Sequence, residues 1–421
     1  MVISADEALQ IVLDQVAILG IERVSIGSAL GRVISEEIRS PRDIPGFANS
    51  AMDGYAVRAA DIASASEGNP VRLRVLETVA AGMMPTCRVG TGDAARTMTG
   101  APIAEGADAI VPVERTRETG SAVEILASAE KGAFVRPRGE DLKRGDHVIA
   151  AGKALSPADI GMLASLNRAI IDVYRRPRVA IVATGDELVD IDQVPSGAQV
   201  VNSSAYALAA AISEAGGEPV VLKVARDRAE EVNDRLTEAL AFDVVLSTGG
   251  VSVGQFDHVK QVLDDLGLRQ LFHGVAQKPG RPLKFGTIDE RPVFGLPGNP
   301  VSTMVCFYLY VRPALRKMGG RRTFGLPRIS ARCATDIRIA NGLTEFVRVA
   351  LERRDGELFA APTGNQSSGV LSSLGRAHAL LIGPREISLL RAGDQATVLV
   401  LEAAAAADTE AFFEARLRQE N

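Results

Sequence analysis

Acidic residues recur just beyond apolar runs in the middle of the chain. Asp186 and Glu187 follow Val179 to Ala183, Asp227 follows the run that begins at Pro219, and Asp257 lies beyond Asp243 to Leu246. In an open parallel sheet the loops past the carboxyl ends of the strands converge, which would gather these acids in one crevice. Carboxylates held together repel one another unless they are protonated or neutralised. A divalent cation would answer that charge, and Mg²⁺ suits carboxylates that share it with a phosphate. Glu187, Asp227 and Asp257 are therefore the candidate metal ligands. Helix capping is the competing role for any one of the acids taken alone.

Three turns could hold an anion. Thr248-Gly-Gly-Val-Ser-Val-Gly254 has glycines that permit a tight turn whose amides converge on a phosphate, although simple chain reversal explains them equally well. It is neither a Walker A sequence nor GxGxxG, which argues against a P-loop NTPase or a dehydrogenase. Gln277-Lys-Pro-Gly-Arg-Pro282 and Leu296-Pro-Gly-Asn-Pro-Val-Ser302 are stiff proline–glycine turns. The second is expected to open an apolar helix from Thr303 to Leu315, with Lys278 and Arg281 adding positive charge to the region. Asn49 to Tyr55 and Met98 to Pro102 read only as polar turns. Asp53 is a general base, a ligand or a plain turn residue.

The elements that would position these residues follow from the apolar pattern. Apolar strands without polar alternation, at Val179–Ala183, from Pro219 and at Asp243–Leu246, are separated by helical stretches at Ser203–Ala215 and Arg228–Leu240. That pattern describes a doubly wound α/β domain with a parallel sheet covered on both faces, placed at residues 176–320. Short apolar stretches such as Val71–Leu76 and Ala109–Val113, broken by Gly, Pro and Asp, indicate a β-rich inserted domain over 46–137. Residues 1–45 and 138–175 read as two halves of one mixed domain. It opens with a helix capped by Ser4 and Glu7, which Gly20 is expected to close, and its second half holds a helix starting at Ser156-Pro157. A small β-domain is expected at 321–404, followed by a tail at 405–421 with a terminal helix near Glu410 to Arg418. The fold class is α/β multidomain.

With 46% apolar residues in 421, core formation is not limiting. The net charge of -5, with no basic stripe, argues against nucleic acid. Cys87, Cys306 and Cys333 lack metal-site spacing and do not form a disulfide framework. The N-terminus has no signal-peptide pattern, and no apolar segment reaches the ~20 residues needed to span a bilayer. These features describe a cytoplasmic chain with no membrane partner.

NSAMDGYAVR, MTGAP, RGEDL, TGDEL, TGGVSVG, KPGRP and LPGNPVS occur in that order, from Asn49 to Ser302. In this the chain resembles the molybdopterin molybdenumtransferases, which include bacterial MoeA and the E domain of gephyrin, across residues 4 to 402. The resemblance implies four domains and a homodimer whose active site lies between protomers. It implies adenylylated molybdopterin and molybdate as substrates, release of AMP, and Mg²⁺ as cofactor, at the last step of molybdenum-cofactor assembly. The functional positions it implies are Asp53, Thr99, Asp141, Glu187, Asp227, Asp257 and Lys278. Substrate would be bound through Thr184, Gly185, Asp186, Gly249, Gly250, Ser252, Gly254, Arg281, Pro297, Gly298 and Asn299. A molybdate pocket would use Lys278, Pro279, Ser302, Arg348 and Ser367. Other cofactor-assembly proteins are further candidate partners.

Three positions depart from the family pattern. Ala48 stands for a frequent aspartate, Gly274 for a frequent second lysine, and Arg281 for the lysine of KPGKP. Arg281 keeps the charge in a different geometry. Gly274 removes one oxyanion ligand and leaves a preference for another oxyanion, such as tungstate, open. Two competing functions remain open. One is a molybdopterin adenylyltransferase, which the extra domains argue against. The other is a non-catalytic dimeric scaffold, which the retained acids argue against.

Overall fold

The computed structural model describes residues 2–249 and 258–402. The chain forms two compact units, one of Met1–Ser35, Gly152–Ser156 and Ile170–Asn421, the other of Glu36–Ala151 and Pro157–Ala169.

The larger unit holds a six-stranded sheet in the order Glu218–Val221, Arg178–Ala183, Val244–Thr248, Arg291–Leu296, Lys284–Ile288, Arg269–His273. The first four strands are parallel. Lys284–Ile288 runs opposite to them and pairs antiparallel with both Arg291–Leu296 and Arg269–His273, so the sheet is mixed rather than wholly parallel. The cause is local. Asp289 and Glu290 both have positive φ and close a two-residue hairpin between neighbouring strands, which can only pair them antiparallel.

Successive strand residues point to opposite faces, and both faces are covered. Val179, Ile181 and Leu246 pack under helix Ser203–Ala215 and the helical run that starts at Pro300. Ala180, Val182 and Val245 pack under helices Ala229–Ala239 and His258–Asp265. Burial on both sides explains the unbroken apolar runs. Helix Ser203–Ala215 is bounded by Asn202, whose side chain accepts from the Ala205 amide, and by left-handed Gly216. The apolar helix expected from Thr303 to Leu315 is longer. It comprises Pro300–Cys306, a π turn at Phe307–Val311, and Arg312–Met318. Pro313 lacks the N–H that an unbroken α-helix would use there, and the wider turn absorbs the defect.

The first helix, Ala5–Gln15, starts at Ser4 as the cap pattern predicts and buries Ala8 and Val12. It ends at extended Val16, not at Gly20, which instead leads into strand Ile21–Ser25. That strand pairs with Ile170–Tyr174 across the long insertion.

Near the C-terminus five strands close on themselves as a barrel. Thr344–Arg354, Glu357–Pro362, Arg328–Cys333, Gln395–Val400 and Ala379–Gly383 are neighbours in turn, and the last also pairs with the first. The two-residue strand Gln277–Lys278 adds in parallel to Thr344–Arg354 and ties the barrel to the α/β sheet.

The smaller unit is built on a second six-stranded sheet, in the order Ala109–Pro112, Gly54–Val57, Asp93–Thr97, Val71–Val79, Ala122–Ile125, Thr116–Thr119. This is the expected β-rich insertion. Ile38–Arg39 pairs with His147–Ile149 in the same unit. Among the described residues no helix is long and apolar enough to cross a membrane.

Candidate active site

The carboxyl ends of the parallel strands meet as topology requires. The Thr184 amide donates to Thr248 O at 3.1 Å, the Gly185 amide to Ala225 O at 3.2 Å, and the Gly249 amide to Leu296 O at 3.4 Å. Gly249 has φ +87°, and a Cβ there would lie 2.6 Å from Thr184 O, so only glycine fits the crossing. A cavity of about 620 Å³ opens beyond these ends, lined by Thr184, Glu187, Thr248, Gly249, Gly298 and Asn299 among others. Two helix N-termini face it. One begins after Asn202 with Ser203 and Ser204, the other after Asn299 with Pro300. The Asn299 side chain makes no capping bond to its own helix, which leaves its amide available to a ligand. Two positive helix ends and a glycine turn around one cavity make a seat for a phosphate group. Leu188, Val200 and Val201 give the cavity an apolar wall.

The acids stand at the rim. Asp186, Glu187 and Asp227 are exposed, and the Asp227 amide donates to Asp186 Oδ1 at 3.2 Å. The Asp227 carboxyl titrates above its ordinary 3.8 because it is partly desolvated and because Asp186 and Glu187 repel its charged form. The expected crowding of carboxylates is therefore real for these three. Among the described residues no three acids, histidines or cysteines are grouped closely enough to enclose a metal by themselves. Gly250, Ser252, Gly254 and Asp257 lie outside the described residues.

A second group adjoins the first. Lys278, joined to Pro279 by a cis peptide, lies in strand register with Glu345, and its Nζ is 3.0 Å from the Glu345 carboxylate. Pro279 is buried and Arg281 exposed. Gln277 holds this loop from beneath. Its Nε2 donates to Pro279 O at 3.0 Å, and its Oε1 accepts from the Tyr310 hydroxyl. Gly280 is pressed against Cys306 and the Ser302 carbonyl, so a side chain there would clash. Ser302 is buried in the first turn of its helix, and the Val301 amide donates to Ser368 O at 3.1 Å. The Pro297 carbonyl is buried and accepts from Thr303 Oγ1 at 2.5 Å. Lys278, Pro279, Ser302 and the loop bearing Ser367 are thus brought together. Through Pro300 and Gly369 they border the phosphate cavity.

Arg348 belongs to this group in a different manner from a presented cation. It is 1% exposed. Nε donates to Ser373 Oγ at 3.0 Å, and Nη2 donates to the carbonyls of Asn365 and Ser367 at 3.3 and 3.2 Å. Burial lowers its pKa, while Glu345 opposes that shift. Its guanidinium anchors the 365–367 loop from below, and Ser367 stands exposed on top.

The remaining candidates lie in the smaller unit. Asp53 Oδ1 accepts from both the amide and the hydroxyl of Thr99, each at 2.7 Å. Those two bonds hold the Asp53 carboxyl below its ordinary value, with Arg96 assisting. A carboxylate so stabilised is an acceptor rather than a general base near neutral pH. Asp141 is exposed in a loop pinned by its amide to Ile44 O at 3.0 Å, and no bond links it to the Asp53–Thr99 pair.

Sequence reasoning passed over four contributors. Ser203 and Ser204 followed a readable cap but were not connected with the cavity. Glu345 carries no local signal of its pairing with Lys278, and Gln277 reads only as part of a turn.

A cavity at the strand ends thus lies next to a lysine-bearing loop. Three family profiles match the chain. The MoeA N-terminal region (domain I and II) matches residues 3–167, a probable molybdopterin binding domain matches 180–317, and the MoeA C-terminal region (domain IV) matches 330–401. A molybdopterin molybdenumtransferase of Nostoc sp. is 36% identical over 90% of this chain and 88% of its own length. One from Bacillus subtilis is 34% identical over 90% of each. The crystal structure of a MoeA protein of molybdopterin biosynthesis from Pyrococcus horikoshii superposes with a TM-score of 0.82 at 33% identity, covering 96% of this chain and all of that one. The chain belongs to the MoeA family of molybdopterin molybdenumtransferases.

Proposed function

We propose that this protein inserts molybdate into adenylylated molybdopterin and releases AMP, completing the molybdenum cofactor in the cytoplasm. The observation that carries this reading is the shared helix start at Pro300–Ser302. It borders the phosphate cavity on one side and the Lys278 loop on the other. A substrate phosphate and a tetrahedral oxyanion would then lie side by side, which is what metal transfer coupled to loss of AMP needs.

The chain's own groups divide the work. The amides around Gly249 and the two helix N-termini bind the phosphate, and Asn299 offers its side chain to the same group. Leu188, Val200 and Val201 exclude water from the apolar part of the substrate. Lys278, Ser302 and Ser367 hold the oxyanion, with Arg281 adding charge at the entrance and Arg348 keeping the Ser367 loop in place. Exposed carboxylates that crowd one another fit Mg²⁺, a hard cation that accepts one or two carboxylates together with phosphate oxygens. Glu187, Asp227 and Asp257 would hold it, and when bound it would neutralise charge on the phosphate and on the leaving AMP. Asp53, set by Thr99, is assigned as an acceptor for the pterin, contributed with Asp141 by the second protomer of a homodimer. The finer division into a mixed domain (1–45 and 138–175), an insertion (46–137), an α/β domain (176–320) and a barrel (321–404) forms part of the same reading.

The test is AMP release from adenylylated molybdopterin with Mg²⁺, in the presence and absence of molybdate. Molybdate-dependent release supports the assignment. Release indifferent to molybdate, or ATP-dependent transfer of AMP to molybdopterin, overturns it.

A further inference from the structure

A second group of cations lies at the other edge of the α/β sheet. Arg175 and Arg176 precede strand Arg178–Ala183, whose far end carries Thr184. Helices Ser203–Ala215 and Arg312–Met318 end on the same side, at Gly216 and Gly319. Six strand residues span about 20 Å, so this edge is separate from the strand-end cavity.

Arg32, Arg175, Arg176, Arg316 and Arg321 line one cleft there. The cleft has about 20 Å³ of free space, room for about one water, and is open to solvent. Two of the five charges are answered. Arg32 pairs with Glu22, and Arg175 makes a two-pronged pair with Asp243. Among the described residues no carboxylate forms an ion pair with Arg176, Arg316 or Arg321. Backbone carbonyls take one nitrogen each from two of these, Thr323 O from Arg316 Nε at 3.0 Å and Gly31 O from Arg321 Nη2 at 3.5 Å. Arg316 is half-buried, and its pKa is pushed down to about 10 by desolvation and by Arg312 and Arg321, with Glu214 opposing. The approach is built in by glycine. Gly320 lies flat on the Tyr174 ring, where a Cβ would come within 2.1 Å, and this brings the 316–321 segment against 174–176.

Helix C-termini attract arginines, but the two carbonyls just named, Thr323 O and Gly31 O, belong to neither helix. Neither the helix ends nor these carbonyls account for three guanidinium groups without an ion pair around one cleft, and like charges gathered off water favour an anion. We infer that this cleft binds a small tetrahedral dianion such as inorganic phosphate, through Arg176, Arg316 and Arg321. The bound anion bridges segments 174–176 and 316–321 at the foot of the sheet. This inference is independent of the transferase assignment.

Inorganic phosphate titrated into the full chain at constant ionic strength, with chloride as the balancing ion, tests it by thermal unfolding and calorimetry. The unmodified protein is expected to show a saturable rise in Tm and one phosphate site that survives Lys278→Ala. The Arg316→Gln/Arg321→Gln variant is expected to bind at least tenfold more weakly. Should that variant not fold, Arg176→Gln alone is expected to weaken binding several-fold. No saturable response beyond chloride overturns the proposal. So does a response unchanged by these arginine substitutions, or one abolished by Lys278→Ala.

Discussion

Lys278 and Glu345 meet twice, as partners in strand register and as an ion pair of 3.0 Å between Nζ and the carboxylate. The two ends of the pair differ in environment. The Glu345 side chain is 6% exposed and also accepts from the Ala340 amide at 2.6 Å, whereas the lysine is half exposed. The barrel therefore presents an ammonium at its rim, with its remaining protons free to meet an anion. Lys278→Met would leave the buried carboxylate with one donor. Stability is expected to fall by about 1–2 kcal/mol, less than for a fully buried pair because the lysine end is solvated. Molybdate affinity is expected to fall at least tenfold. Urea denaturation and equilibrium dialysis read the two effects separately.

Beneath that lysine, the Tyr310 hydroxyl donates to Gln277, which in turn holds the Pro279 carbonyl. Tyr310→Phe keeps the ring packing and strips a buried amide oxygen of its donor. A loss of about 1–3 kcal/mol is expected by urea denaturation. Molybdate binding should weaken with it, because the loop bearing Lys278 loses its support, while affinity for AMP stays unchanged. Weakening of both ligands equally would show a general loosening instead.

Gly249→Ala places a methyl group 2.6 Å from Thr184 O at a residue with φ +87°. Strain and overpacking together are expected to cost about 2–4 kcal/mol. Nucleotide binding should be lost even under conditions where the variant is fully folded, a comparison that circular dichroism and AMP titration make directly.

The pH response of the rim acids has a definite sign. Because Asp227 titrates above its ordinary 3.8, the folded protein binds more protons there than the unfolded chain. Its cost to stability is absent below pH 3.8, grows as pH rises toward the shifted value and is complete above it. Asp227→Asn is therefore expected to raise Tm at pH 7 without Mg²⁺ by about 1–2 °C, and to leave it unchanged near pH 3. Added Mg²⁺ should raise the Tm of the unmodified protein more than that of the variant.

What could be read from the sequence was local. The run Val179–Ala183 is apolar throughout because both faces are buried, and helix Ser203–Ala215 carries its own stop signal in Gly216. The strand-end acids followed from topology, since any parallel sheet delivers its loops to one edge. The misreadings needed distant information. Gly20 reads as the end of a helix that Val16 in fact closes, because pairing with Ile170–Tyr174 pulls the chain into a strand. The antiparallel edge depends on Asp289 and Glu290, which lack the usual asparagine–glycine hairpin signal. The buried state of Arg348 depends on Ser373 and on carbonyls 17 and 19 residues away, which no local pattern reveals. For Asp53, the local pattern favours a plain turn residue over a base or a ligand, and only the bonds from Thr99 select an ionised acceptor.

The most direct test of the account follows the metal itself. Purified protein is supplied with adenylylated molybdopterin, Mg²⁺ and molybdate, and the product is assayed for its power to reconstitute a cofactor-free molybdoenzyme. Reconstitution is expected to require molybdate, to be matched by AMP release, and to fall by more than a hundredfold in Lys278→Ala. Reconstitution undiminished in that variant, or AMP release without any metal transferred, would contradict it.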